Sequence, residues 1–189
     1  MNRQRKPGRS VPPLNEAKLQ ELALSYVGRF ATTRAKLRAY LARKLRERGW
    51  SGQTDPDLEA LANRFARRGY IDDAAYALTK AQGLTARGFG KRRVVEKLRI
   101  AGIEEKDSQA ARDHVQDEQL SAALRFAERR RLGPFAREKP AERSDREKAI
   151  AAMVRAGHSF GVARAIVEMD PGAALDMDEL AERARVTLI

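Results

Sequence analysis

One helix ending occurs three times in this 189-residue chain, at nearly equal intervals. In each copy an apolar residue is followed four positions later by glycine and then by a bulky residue. The copies are Leu45 with Gly49-Trp50, Leu98 with Gly102-Ile103, and Met153 with Gly157-His158, so the glycines are 53 and 55 residues apart. Glycine after a last helical turn takes the left-handed conformation without steric cost. Three such endings, each closing a basic amphipathic helix, indicate an internal repeat.

Helical periodicity dominates from Leu14 onward, and no alternating β-branched run predicts a strand. In the clearest helix, Leu37, Leu41 and Leu45 form one apolar stripe behind a cap at Thr32 or Thr33. The predicted helices span about 15–30, 33–48 and 55–68, then 73–86, 90–101 and 104–115, then 117–132, 144–156 and 159–169. Small three-helix units bury little surface alone, so neighbours should stack. The sequence predicts an all-α chain of three tandem three-helix repeats that form an elongated, curved helical solenoid.

Proline, glycine and charge set the predicted domain boundaries. Residues 1–13 combine four cations with three prolines and are expected to form a disordered basic arm. The three helical repeats are assigned to 14–71, 72–116 and 117–170. Residues 171–189 are an acidic C-terminal tail, which is long enough for a short extra helix.

The charge of the chain is large and unevenly spread. The net charge is +12, and residues 1–103 hold 23 basic and 9 acidic side chains, a balance of +14. Such a surplus favours polyanionic partners, and its position assigns them to the N-terminal half. There is no cysteine, which excludes disulfides and thiolate metal sites. No signal-peptide core and no run of about 20 apolar residues is found, so we expect a cytoplasmic monomer without a membrane partner.

Two basic helices carry most of the candidate binding side chains. One is the leucine-striped helix, where only Glu47 offsets the cations. The other begins after Gly88-Phe89-Gly90, where free backbone N–H groups and the helix dipole would favour an anion. The predicted polyanion-binding residues are Arg34, Lys36, Arg38, Arg43, Lys44, Arg46, Arg67, Arg68, Arg87, Lys91, Arg92, Arg93, Lys97 and Arg99. The run 129–131 ends a helix, where the dipole favours cations anyway, and it is left out of the site.

No constellation in the sequence predicts catalysis. Asp72 and Asp73 stand where a helix begins and are expected to serve that helix start rather than a metal. His114 and His158 have no partners at the spacing of a triad, dyad or metal site. The aromatic residues fit core positions better than base-stacking platforms; these are Trp50, Phe65, Tyr70, Tyr76 and Phe126. We expect a binding protein that has no catalytic residue, metal or cofactor.

Two segments in the middle of the chain carry a recognisable pattern. The first is Gly69-Tyr70-Ile71-Asp72-Asp73-Ala74-Ala75-Tyr76-Ala77, and the second is Arg87-Gly88-Phe89-Gly90-Lys91-Arg92-Arg93-Val94, followed by Lys97-Leu98 and Gly102-Ile103. Together they resemble the central signature of the RecX family, whose members are bacterial regulators of the RecA recombinase. The resemblance covers about residues 25–115 and is weaker through 117–170. The sequence departs from the family in having Lys91 where proline is frequent, and in the arginine-rich segment 34–48.

The resemblance implies three tandem three-helix repeats and a regulator that binds along a RecA–DNA filament. It implies contact with single- and double-stranded DNA, largely independent of base sequence, and inhibition of filament ATPase and strand exchange during DNA repair and recombination. The alternative is a helix-turn-helix transcription regulator, although that class concentrates its cations on one recognition helix. A nuclease would need clustered carboxylates or a histidine pair, and a purely protein-binding scaffold would not bind bare DNA.

Overall fold

The structure is a computed structural model that describes residues 12–140 and 142–186. Within these ranges the chain forms ten α-helices and two short 3-10 turns, and its only β-type pairing is an isolated bridge between Leu14 and Trp50. The predicted all-α fold is confirmed. The predicted basic arm lies outside the described residues, apart from Pro12 and Pro13. The chain divides into two compact units, with the boundary between Asp72 and Asp73.

The first unit contains α1 (Glu16–Val27), α2 (Arg34–Arg48) and α3 (Leu58–Arg67). Each helix is capped by a side-chain oxygen that accepts a hydrogen bond from a backbone N–H in the first turn. The accepting residues are Asn15 at 3.0 Å, Thr33 at 3.1 Å and Asp57 at 2.9 Å. The predicted starts of α1 and α2 are confirmed. The helix predicted over 55–68 begins later than expected, because Asp57 supplies the cap and α3 starts at Leu58.

The core of the first unit is built on the predicted leucine stripe. Leu37 and Leu41 are fully buried and pack with α1 and α3 residues such as Leu19 and Phe65. Leu14 is also fully buried, because its N–H donates to the Gly49 carbonyl at 3.0 Å and its carbonyl accepts from the Ser51 N–H at 2.9 Å. The strand-like pairing therefore ties the start of the unit to the end of α2.

The second unit contains seven helices among its described residues. They are α4 (Asp73–Thr85), α5 (Lys91–Ile100), α6 (Gln109–Asp117), α7 (Gln119–Arg130), α8 (Arg143–Arg155), α9 (Phe160–Val167) and α10 (Met177–Val186). The helix predicted over 104–115 starts instead as a 3-10 turn at Glu105–Asp107, where the Ser108 hydroxyl donates to the Glu105 carbonyl. The short extra helix in the acidic tail is α10, and its Leu180 and Ala184 join the core beside α9.

Two hydrophobic clusters form the interior of the second unit. One cluster joins α4, α5 and α6 and includes Val94 and Leu98 of α5. The other joins α7, α8, α9 and α10 and includes Phe126, Met153 and Ile166. Phe89 packs against both clusters. The segment around Phe89 is therefore packed against the interior of the second unit. The stacking of three repeats into a curved solenoid stays a prediction.

The glycines of the three repeated helix endings all have positive φ, but Gly49 has a ψ of 174° and so lies outside the left-handed helical region that the sequence predicts. Gly49, Gly102 and Gly157 have φ values of 78°, 71° and 100°, which residues other than glycine rarely adopt. The residue after Gly102 donates its N–H to Leu98 at 3.1 Å, and the residue after Gly157 donates to Met153 at 3.2 Å. These are the backbone bonds of a Schellman ending. In the first copy Trp50 instead pairs with Leu14, and its indole N–H donates to the Thr54 carbonyl at 2.8 Å.

Candidate nucleic-acid interface

The basic face of α2 is only partly neutralised. Lys44 and Arg43 lie 2.6 and 3.7 Å from the Glu47 carboxylate, and Arg38 pairs with Glu59 of α3. The hydrogen bond from Lys44, together with the charges of Arg43 and Arg46, lowers the pKa of Glu47 below its usual value. Arg46 is exposed and forms no ion pair within the described part of the chain. The face keeps a net positive charge.

Aromatic rings lie directly beside these cations. Tyr26 and Tyr40 stack with ring centroids 4.3 Å apart, and the Arg43 guanidinium lies 5.6 Å from the Tyr40 centroid. Phe30, 58% exposed, packs at an angle against Tyr26. The sequence did not single out this group, because its members come from separate helices. The prediction of a core position is confirmed for Phe65 and Phe126. It is wrong for Tyr70, which is 52% exposed and whose ring packs at an angle against Phe65.

Arg67 and Arg68 end the first unit's third helix. Arg67 is the last residue of α3 and Arg68 is its C-cap, and both side chains are exposed. A cation in this position is favoured by the helix dipole whatever else it binds. Their candidate role in polyanion binding therefore remains a proposal.

The outward stripe of α5 consists of Arg92, Val95 and Arg99. All three side chains are exposed, and the two arginines have no ion pair among the described residues. Val95 is 41% exposed and the neighbouring Ile100 is 64% exposed, which places apolar surface between and beside the charges. Sequence analysis missed these two apolar side chains, since it treated α5 as a buried stripe with a purely basic outer face.

The other predicted cations of this region are held by local partners. Arg93 forms a 2.8 Å ion pair with Glu96, and the Lys91 ammonium donates to the Gln116 side chain at 3.1 Å. Arg87 donates to the Gly83 carbonyl at 2.8 Å, and its guanidinium lies 5.9 Å from the Phe89 centroid. Lys97 is half-buried. Arg92 and Arg99 are thus the better-placed contacts for an external anion.

The start of α5 does not offer the free backbone donors that the sequence predicts. The Gly90 N–H donates to the Ala156 carbonyl at 3.0 Å, and the Arg92 N–H donates to the Gly157 carbonyl at 3.1 Å. These two groups are therefore occupied by the end of α8. The prediction that these two N–H groups hold an anion is wrong, and the side chains of α5 are the better-placed donors for one.

The two glycines of the Gly88-Phe89-Gly90 segment permit close backbone packing. A Cβ on Gly90 would lie 2.4 Å from the Gly157 carbonyl carbon, and a Cβ on Gly88 would lie 2.8 Å from the Phe126 nitrogen. Real Cβ atoms do not approach other atoms so closely. The segment is thus the place where the α4–α5 connection contacts α7 and the α8–α9 turn, instead of a flexible loop.

His158 lies inside this contact. It is 2% exposed, its Nε2 lies 3.1 Å from the Gly88 carbonyl, and its ring packs at an angle against Phe126. A carbonyl can only accept, so Nε2 carries the proton, and the buried Nδ1 has no partner among the described residues. Burial lowers the pKa of His158, opposed by the bond to Gly88. In the sequence, His158 stood out only as the bulky residue that follows the glycine of a helix ending.

Stability should fall in mild acid because His158 must remain neutral when folded. Its pKa is lowered in the folded state, so its contribution is complete above the unfolded value of about 6.5 and is lost as the pH falls below it. The expected slope is at most about 1.4 kcal/mol per pH unit. Denaturant unfolding across this range should show the slope in the wild type and a smaller one in His158→Gln. Equal slopes would contradict the account.

The described residues do not assemble a metal site. They contain no group of three or more His, Asp or Glu side chains that could hold a metal ion. His114 bonds to the Thr85 hydroxyl at 2.9 Å, and within the described ranges neither histidine bonds to a carboxylate. Asp73 is the first residue of α4, as predicted. Among the described helices, none is long and apolar enough to cross a bilayer.

Comparison with known proteins places this arrangement in a family. The chain is 33% identical over 162 residues to the regulatory protein RecX of Myxococcus xanthus, covering 81% of this chain and 86% of that protein. It is 33% identical over 164 residues to the regulatory protein RecX of Thermobifida fusca, covering 85% and 86% respectively. The chain belongs to the RecX family. The regulatory protein RecX of Agrobacterium fabrum is 30% identical over 149 residues, which cover 77% and 79% of the two chains. No family model matches the sequence.

Membership in the RecX family confirms the resemblance that the two signature segments indicated. The aligned share of the chain exceeds the segment in which those motifs lie. The first signature segment spans the α3–α4 connection and the start of α4, and the second spans the α4–α5 connection and the start of α5.

Proposed function

We propose that this RecX-family chain regulates the RecA recombinase by binding along the RecA–DNA filament, and that it inhibits filament ATP turnover and strand exchange. Family membership supports a regulatory role. The observation that carries the binding mode is the outward stripe of α5, where Arg92 and Arg99 lack ion pairs and flank exposed Val95. Cations beside apolar surface suit a partner made of both phosphate and protein.

The regulation follows from differential binding. A ligand shifts an equilibrium only by binding one state better than another. A basic chain that bridges DNA phosphates and acidic protein patches would favour the filament state that presents both at the right spacing. Holding the filament in a state with slow ATP turnover needs no cofactor and no catalytic residue. Inhibition is the direction that the family resemblance implies, and preferential binding to a filament state with slow ATP turnover would produce it.

The distribution of the cations favours phosphate contact over base reading. Basic side chains occur on α2 at Arg46, on α3 at Arg67 and on α5 at Arg92 and Arg99, in both units. A transcription regulator of the helix-turn-helix class reads bases from one recognition helix. Contacts from several helices instead fix a protein on the backbone without reading sequence. The transcription-regulator alternative has no observation of its own in this structure.

Affinity for bare DNA should fall steeply as salt increases. Each neutralised phosphate releases counterions, so six phosphate contacts would lower affinity for duplex DNA about a thousandfold between about 50 and 200 mM salt. Fluorescence anisotropy with labelled duplexes of different sequence measures both the slope and the sequence preference. A flat salt dependence, or strong discrimination between duplexes, would contradict phosphate tracking and favour a transcription regulator.

Filament binding itself tests the proposed function. Labelled protein is titrated with RecA filaments formed on single-stranded DNA, with the same DNA alone, and with RecA alone at equal ionic strength. We expect the tightest binding to the filament, because only the filament presents phosphate and protein together. Binding to the filament that is no tighter than binding to bare DNA would overturn the proposal.

A further inference from the structure

A cleft between α5 and α8 brings together arginines from distant parts of the sequence. Its volume is about 440 Å³, and its lining includes Arg92 and Arg93 of α5 and Arg155 of α8. The backbone fixes this arrangement, since the Arg92 N–H donates to the carbonyl of Gly157, two residues after Arg155. Sequence analysis left Arg155 out of the predicted binding residues, because it lies in the last turn of a helix.

The charges in this cleft are not balanced by the protein. Its lining includes one carboxylate, Glu96, and that group pairs with Arg93 at 2.8 Å. Arg92 and Arg155 are exposed and have no ion pair among the residues that the structure describes. Two guanidinium groups therefore line one concave surface with their charge unmatched. Like charges in this position repel each other until an anion binds between them.

A larger groove between α8 and α9 provides the contrast. It has a volume of about 920 Å³ and is also lined by several cations. Most of these are already paired, Lys139 with Asp170 at 2.5 Å, Arg143 with Glu147 at 2.8 Å and Arg164 with Glu168 at 2.7 Å. Unmatched charge, rather than groove size, distinguishes the α5–α8 cleft.

We propose that Arg92 and Arg155 bind one phosphodiester group of the DNA backbone in the α5–α8 cleft. The guanidinium fork donates two parallel hydrogen bonds to phosphate oxygens, and two forks from opposite walls can enclose a single phosphate. Three arginines and one glutamate leave a surplus that one phosphodiester partly neutralises. This site deepens the proposed function, on which it rests, by adding α8 to a surface that the sequence assigned to the N-terminal half.

The observations favour a phosphodiester over an acidic protein segment. An acidic peptide that docks in a groove also needs apolar contacts, and among the described residues Val154 is the only large apolar side chain lining this cleft. The α8–α9 groove, by comparison, offers Ile150, Val154 and Phe160. A small polar cleft with two free guanidinium groups suits a compact anion on a continuous chain, which is what the DNA backbone supplies.

Four variants test the site through their affinity for labelled oligothymidylate at low salt. They are Arg92→Ala, Arg155→Ala, the double variant, and Arg129→Ala as the control. Arg129 matches Arg155, because both are exposed arginines in the last turn of a helix of the same unit. Each cleft variant should lose about tenfold in affinity, whereas the control loses much less. The double variant should lose little more than either single variant, because a phosphate released by one arm is released by both. Thermal unfolding should be unchanged, since the side chains are exposed.

The outcomes separate this proposal from the proposed function. Equal losses for Arg155→Ala and Arg129→Ala, or losses that multiply in the double variant, would overturn the shared phosphate site. Normal DNA affinity with weaker RecA-filament binding would also overturn it and would assign the cleft to an acidic protein surface. In each of these cases the wild type still binds the filament. Failure of the wild type to bind the filament would instead contradict the proposed function.

Discussion

Replacing Gly90 with alanine is expected to lower the free energy of unfolding by about 3 kcal/mol, close to the upper end of what overpacking costs. The added Cβ would lie 2.4 Å from the Gly157 carbonyl carbon and oxygen and 2.5 Å from the His158 nitrogen. These are backbone atoms, so relief requires α5 to separate from the α8–α9 turn. Separation would also break the bonds from Gly90 to Ala156 and from Arg92 to Gly157.

Gly83→Ala is the matched control for this prediction. Gly83 lies within α4 of the same unit, and a Cβ there would meet no atom within 4 Å. Alanine in a helix is favoured over glycine by about 0.5–1 kcal/mol, so this variant should be slightly more stable than the wild type. Urea unfolding followed by circular dichroism measures both. A Gly90→Ala protein as stable as Gly83→Ala would contradict the close packing of α5 on the α8–α9 turn.

Reversing the charge of Arg92 and Arg99 together should weaken filament binding about 100-fold, since each charged contact contributes about 1–3 kcal/mol when well formed. Both side chains are exposed on the outward stripe of α5 and neither belongs to the buried Val94 and Leu98 face. The Arg92→Glu, Arg99→Glu variant should therefore keep its helical content. It should lose both binding to RecA filaments and the inhibition of ATP turnover that we propose.

The control for charge alone is Arg129→Glu with Arg130→Glu. These residues lie in the last turn of α7, outside the predicted site, and the charge change is identical. Both variants would be compared by filament binding at equal ionic strength. Equal losses would mean that net charge governs association and that α5 is not the binding stripe. A larger loss in the control would move the site to the α7 end.

The local structure could be predicted from the sequence because its signals are local. The positions of Gly102 and Gly157 set helix endings through the left-handed backbone that they adopt. The Leu37 and Leu41 stripe predicted the buried face of α2, and Thr33 predicted its cap. The helix predicted over 55–68 begins only at Leu58, because Asp57 caps it.

The site was harder to predict because it depends on contacts between distant residues. Gly90 and Gly157 look like ordinary turn glycines until their backbones are seen to touch. The same contact consumes the N–H groups that the sequence offered to an anion and brings Arg155 beside Arg92. The exposure of Val95 was also hidden, since an apolar residue next to a buried stripe reads as part of the core. Long-range packing thus changed the candidate site more than it changed the fold.

The most direct test of the central claim is ATP hydrolysis by RecA on single-stranded DNA with increasing amounts of this protein. The account predicts that the rate falls as the protein is added. It also predicts that the Arg92→Glu, Arg99→Glu variant leaves the rate nearly unchanged. A rate that is unaffected by the wild-type protein, under conditions where the filament is formed, would contradict regulation of RecA by this chain.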